Sequence, residues 1–162
     1  MKMTLMALAF LFCAARLHAS IGETESELTK RYGPETGSFK PDAGKFIRKE
    51  YEFGVYHVSV TLLEGVSNSE VFTRKDKKPI DPIDMQGFLD ANDLGAKWEK
   101  KDDNKDVTIW VLDSRQGFAG YYKSINSLVI KTQDMLAFEE ALMKAETSQQ
   151  PHPPAQDPKL KP

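Results

Sequence analysis

Residues 46–74 read FIRKEYEFGVYHVSVTLLEGVSNSEVFTR, and the alternation inside that stretch decides the fold class. Val58, Val60 and Leu62 alternate with His57, Ser59 and Thr61, the period of two that a strand with one buried face requires. Upstream, Lys49, Tyr51 and Phe53 alternate with Arg48, Glu50 and Glu52, and Gly54 offers a turn or a bulge between the two runs. Glu64-Gly65 and Asn68 mark another turn, followed by a short strand through Val71 and Phe72. A three-stranded antiparallel meander is the simplest account.

Helices and hairpins extend outward from this block. Downstream, Asp81-Pro82 signals a helix start, since Asp is a favoured N-cap and Pro at the first helical position gives up no hydrogen bond. Met85, Phe88, Leu89 and Asn92 share one face of that helix, and Gly95 stops it. Lys97 to Lys101 and Asp106 to Leu112 then flank the polar turn Asp102-Asp103-Asn104-Lys105, with Trp98 and Trp110 placed symmetrically enough to pair across the hairpin. Gly120 to Ser124 and Leu128 to Thr132 form another hairpin around Ile125-Asn126. Thr132 caps a last helix with the stripe Met135, Phe138, Leu142 and Ala145. Upstream, a short helix is expected over roughly Ile21 to Tyr32. Ser20-x-x-Glu23 and Thr24-x-x-Glu27 both match a capping box there, and Gly33-Pro34 ends the helix before a polar loop to Lys45. The expected fold is α+β: an antiparallel sheet of hairpins and a meander with helices packed on one face.

The two ends carry different signals. Lys2, the apolar or small run Met3 to Ala15, and Leu17-His18-Ala19 have the layout of a secretory signal peptide, cleaved between Ala19 and Ser20. The run is well short of the roughly 20 apolar residues that span a bilayer, so no transmembrane anchor is expected. Phe12 stands where a lipidated Cys13 would need a small neighbour. The expected organisation is therefore signal peptide 1–19, one domain over 20–146, and a disordered proline-rich tail over 147–162. The expected location is the periplasm or the extracellular medium.

Composition narrows the function. Lys2 and Arg16 leave with the signal, so 22 basic side chains fall to 20 against 24 acidic ones, and no drive toward nucleic acid remains. Cys13, the only cysteine, leaves as well, which excludes thiol catalysis, thiolate metal sites and disulfides. His57 is the one histidine of the folded part and acts as a general base only if folding brings a carboxylate or nucleophile to it. Ser114 follows a strand but lacks the Gly-x-Ser-x-Gly turn that exposes a nucleophile. Glu50 and Glu52 share a strand face, and Asp81 and Asp84 belong to a helix start. Asp102-x-Asn104-x-Asp106 has the oxygen spacing of a calcium loop, but Val107 stands where that loop needs Gly, so it reads as a hairpin tip. Gly117-x-x-Gly120 precedes no helix and cradles no phosphate. Arg74, Lys75, Lys77 and Lys78 form the one dense basic cluster and the only candidate anion-binding site. No cofactor, metal or catalytic site is expected.

Leu28-x-x-Arg31-Tyr32-Gly33-Pro34, Leu89-x-x-Asn92 with Gly95 and Trp98, then Trp110, Ala119-x-Tyr121 and Leu128-x-Ile130-x-Thr132 together resemble a loose group of small exported bacterial proteins of unassigned function. The opening helix with its Gly-Pro stop is also similar to small envelope lipoproteins of the β-lactamase-inhibitor-like fold, although this chain lacks their lipid-bearing cysteine. Neither resemblance brings catalytic residues. The function expected from sequence is an exported interaction domain binding a protein in the envelope or outside the cell. The alternatives are a hydrolase using His57 with Asp or Ser partners, and an anion-binding module using Arg74 to Lys78.

Overall fold

The computed structural model describes residues 21–40, 46–113 and 116–149. The expected signal peptide and nearly all of the expected tail lie outside the described residues. The chain is α+β, an eight-stranded antiparallel sheet with three helices. In chain order these are α1 (Glu25–Tyr32), β1 (Gly37–Phe39), β2 (Phe46–Phe53), β3 (Tyr56–Leu63), β4 (Val66–Arg74), α2 (Pro82–Ala91), β5 (Trp98–Asp103), β6 (Val107–Leu112), β7 (Gly117–Tyr122), β8 (Ser127–Thr132) and α3 (Gln133–Gln149). The spatial order is β1-β2-β3-β4-β8-β7-β6-β5. Two units of one helix followed by four strands thus lie side by side, joined where β4 pairs β8 from Ser69↔Lys131 to Thr73↔Ser127.

Local chemistry fixes the elements much as expected. Asp81 Oδ1 accepts the Ile83 N–H at 2.8 Å, and Pro82 opens α2. Thr132 Oγ1 accepts the Met135 N–H at 3.1 Å at the start of α3. Of the two expected capping boxes Thr24–Glu27 forms, the Thr24 N–H donating to Glu27 Oε2 at 2.8 Å, and Ser20 of the other lies outside the described residues. Helix α1 therefore begins at Glu25. Ile21 is buried for a different reason: its segment runs beside β4, with the Gly22 N–H on Ser67 O at 2.7 Å, and the Ile21 N–H reaches Asn92 Oδ1 at 2.6 Å.

One face of the sheet carries the core. Tyr51, Val58, Val60, Phe72, Ala119, Leu128 and Ile130 lie beneath Leu28 and Tyr32 of α1 and Phe88 and Leu89 of α2. Phe88 stacks on Phe72 at 4.0 Å between ring centroids and meets Tyr56 edge-on at 5.0 Å. Glu70 is fully buried on this face, its Oε2 accepting the Tyr32 hydroxyl at 3.2 Å.

Several expectations need correction. The polar loop before residue 45 contains β1, an edge strand whose Phe39 is largely exposed, so it carries no burial pattern to read. Asn68 marks a bulge inside β4 and no turn, because Thr61 pairs Ser69 while Leu62 pairs Ser67. Trp98 pairs Leu112 and Trp110 pairs Lys100, so the tryptophans share a face two pairs apart and are not opposite each other. Both pack against the core, and Trp98 Nε1 donates to Leu89 O at 2.7 Å at the end of α2. Helices α1 and α2 take the core face, whereas α3 meets side chains of the other face. Phe138 packs edge-on against Phe46 at 5.9 Å, and Glu139 pairs Lys131 at 2.7 Å. No loop separates β8 from α3, so the strand's end sets the side the helix takes. Helix α3 also continues through Thr147 and Ser148 to Gln149, residues assigned to the tail by composition.

Candidate functional site

The face of the sheet opposite α1 and α2 is the candidate site, and strand register lays out its side chains. Across the middle run Glu50, Ser59, Val71, Val129, Gly120 and Ile109 as successive cross-strand partners. The row nearer α3 holds Arg48, Thr61, Ser69, Lys131, Phe118 and Val111. The far row holds Glu52, His57, Thr73, Ser127, Tyr122 and Val107. The face therefore has two characters: polar and charged on β2 and β3, and an apolar strip that begins as the middle row Val71–Val129 and widens to nearly all positions on β7 and β6.

The apolar half is only partly covered. Val71, Val107, Ile109, Val111, Phe118 and Val129 are half-buried and Tyr122 is 39% exposed. Helix α3 packs on Lys131 and Phe46 at two neighbouring rows of this face, and Val71, Val129 and Ile109 keep part of their surface exposed. Gly120 shapes this surface. A Cβ there would lie 3.2 Å from the Tyr122 ring and 3.3 Å from the Phe118 ring, so the missing side chain lets both rings lean over the strand. The result is a flat aromatic platform beside Val129 and Ile109.

His57 sits on the polar half, about half exposed, with Nε2 3.0 Å from Glu50 Oε2. The Ser59 hydroxyl donates to Glu50 Oε1 at 2.9 Å. Folding thus brings a carboxylate and a hydroxyl to His57, the condition for a basic role. The carboxylate, however, stands between the other two. The serine proton points at Glu50 and away from the imidazole, whereas an activated serine needs the base on its own hydroxyl. Ser114 lies outside the described residues.

The basic cluster lies at the end of β4 and the turn after it. Arg74 makes a two-point contact with Asp76, Nε to Oδ1 and the terminal nitrogen to Oδ2, both at 2.9 Å. That contact holds the Asp76 carboxyl well below the usual carboxylate range. Lys75 pairs Glu52 at 2.7 Å, and Lys78 lies 3.7 Å from Asp76. Lys77 makes no ion pair among the described residues, and its carbonyl accepts from Asn126 Nδ2 at 2.9 Å. At the β5–β6 tip, Asn104 Oδ1 accepts the Asp106 and Val107 N–H groups at 2.9 and 3.0 Å, and its amide donates to Asp102. Those side chains are committed to the turn. Among the described residues no helix is long and apolar enough to cross a membrane.

No protein-family model matches the chain, and no curated protein sequence matches it. Among solved structures there is a distant likeness to an extracellular protein containing an SCP domain from Bacillus anthracis, at 14% identity and a TM-score of 0.42. That match covers 72% of this chain and 45% of the other. A cysteine-rich secretory protein from Staphylococcus aureus matches at 13% identity and a TM-score of 0.41, over 72% of this chain and 46% of that one. The chain spans less than half the length of either structure. These are resemblances of outline, and no residue role passes from them to this chain.

Proposed function

We propose that the protein is an exported, non-catalytic binding module and that its binding surface is the uncovered apolar half of the sheet. The observation that carries this reading is the strip of Val71, Val129, Ile109 and Val111 beside the Phe118–Tyr122 platform, each side chain keeping part of its surface exposed. An apolar centre rich in aromatic side chains with a polar margin is the anatomy of a protein interface. The partner is a protein of the envelope or the extracellular space that presents an apolar patch to β6–β8. A basic flank on it would meet Glu50 and Glu52 on the neighbouring strands. Export is supported by the residues before Ser20 and by the resemblance to small exported bacterial proteins.

The two other readings have less support. Glu50 interposed between Ser59 and His57 does not assemble a hydrolase. Arg74 and Lys75 are held by Asp76 and Glu52, and Lys77 and Lys78 stand exposed on a turn.

Site-specific photocrosslinking tests the proposal. A crosslinker replacing Tyr122 should capture a discrete protein from the exporting cell's envelope or medium. The same group at Ile83, exposed on α2, should not. Val129→Lys should abolish the Tyr122 product with the fold intact, and His57→Gln should leave it in place. Equal capture at both positions, or capture indifferent to Val129→Lys, would refute the surface. Turnover of a hydrolase substrate lost on His57→Gln would refute the non-enzymatic reading.

A further inference from the structure

A cavity of about 420 Å³ lies on the opposite face, between α2 and the strands β5–β7. Its walls include Ile80, Met85, Leu89, Trp110 and Tyr121. Helix α2 packs Phe88 on Tyr56 and Phe72 of the first unit and leaves this gap above Trp110, which is half-buried at its edge. The volume falls within the 300–1,000 Å³ range typical of small-molecule sites.

One end of the cavity is polar and held in place. Asp103 Oδ1 accepts from the Thr108 hydroxyl at 2.9 Å and from Lys123 Nζ at 2.8 Å, while Oδ2 accepts from Lys100 Nζ at 3.2 Å. Lys123 Nζ also donates to the Asn104 carbonyl. Two ammonium groups share one carboxylate, so one positive charge is left over at the cavity mouth. Each ammonium has three donors, and Lys100 spends one of them on Asp103. The Tyr121 hydroxyl donates to Asn126 at 3.2 Å, which fixes that ring as a wall.

We propose that this cavity binds a small organic anion: a flat apolar body against Trp110 and Tyr121, with a carboxylate or phosphate on Lys100 and Lys123. The arrangement selects sign as well as shape. Asp103 positions both cations, and an anion entering there displaces only water. A cationic ligand of the same body would meet the surplus positive charge.

The mature protein can be tested with 2-naphthoate and 2-naphthyl phosphate as probes and 2-naphthylmethylammonium as the charge-reversed control. The chain has two tryptophans, so the two indole N–H signals in a nitrogen–proton correlation spectrum separate the site from the rest. The Trp110 signal should move saturably with one or both anions. The Trp98 signal, fixed by its bond to Leu89 O, should move little. Lys100→Gln with Lys123→Gln should weaken binding by more than about tenfold, since both charge-assisted contacts are lost and one alone is worth about that factor. The ammonium probe should be weaker by a similar factor. Gln86→Phe, which fills the cavity from an exposed helix position, should block binding without touching the cations. The proposal is overturned if Trp110 fails to saturate with either anion, if the cation binds as well, or if both variants bind like wild type. Probes of protein capture on the other face are independent of every one of these outcomes.

Discussion

Glu70 is the side chain whose chemistry most constrains how this protein behaves with pH. It points into the core from the middle of β4, opposite Val60 and Ile130, and is fully buried. Oε2 accepts from Tyr32, and Oε1 has no hydrogen-bond partner among the described residues. Burial outweighs the nearby Arg31 charge and lifts the carboxyl from 4.5 to about 7. The folded state therefore holds this proton more tightly than the unfolded chain does. Its stabilising contribution is complete below pH 4.5 and is lost as the pH rises to about 7, after which the loss is constant. At about 1.4 kcal/mol per pH unit, the loss comes to about 3 kcal/mol. That is a large part of the roughly 5–15 kcal/mol that holds a typical domain together.

Glu70→Gln keeps the volume and an acceptor for Tyr32 but cannot ionise. Urea unfolding of both proteins at pH 5 and pH 8 isolates the effect, because every other titrating group is common to the pair. The stability difference, variant minus wild type, should rise by about 2–3 kcal/mol between those pH values. Parallel stability curves would refute the reasoning and show that Glu70 ionises without penalty.

Two further substitutions test the packing. Gly117→Ala would set a Cβ 2.7 Å from Leu112 Cδ1 and 3.3 Å from Trp98, so overpacking should cost about 1–3 kcal/mol in a urea melt. Asp81→Ala removes the acceptor for the Ile83 N–H and should cost about 1 kcal/mol, read the same way.

What the sequence disclosed was whatever is written in local chemistry. Asp81-Pro82, Thr132 and the alternation through Val58 and Leu62 each report on a few neighbouring residues, and the structure has α2, α3 and β3 where those signals lie. Ile21 shows the limit. Its spacing to Leu28 fits a helical stripe, yet it is buried by running along β4, a partner far away in sequence. The tryptophan pair fails because β5 runs on through Asp102 and Asp103, which moves the turn to Asn104–Asp106; the bulge between Lys100 and Asp102 recovers one residue of that offset, and Trp98 meets Leu112. The binding surfaces were least legible. Val71, Val129 and Ile109 look like any strand valine or isoleucine until the sheet order sets them side by side. Lys100 and Lys123 come from different hairpins and meet only at Asp103.

The sheet order has a consequence for the ancestry of the chain. Read from either edge, β1-β2-β3-β4-β8-β7-β6-β5 is the same helix-led, four-strand unit met twice. Two copies of a half-length chain that joined by their fourth strands would produce this order, with a twofold axis through the seam. Val71 faces Val129 at the centre of the β4–β8 pairing, where such an axis would pass. Two steps before each valine stand Ser69 and Ser127, identical across the axis, and one step after stand Phe72 and Ile130, both in the core. One step before, the symmetry breaks: Leu128 has Glu70 as its counterpart. The core is thus unequal across the seam, with a titratable carboxyl buried in one half where the other half holds a leucine.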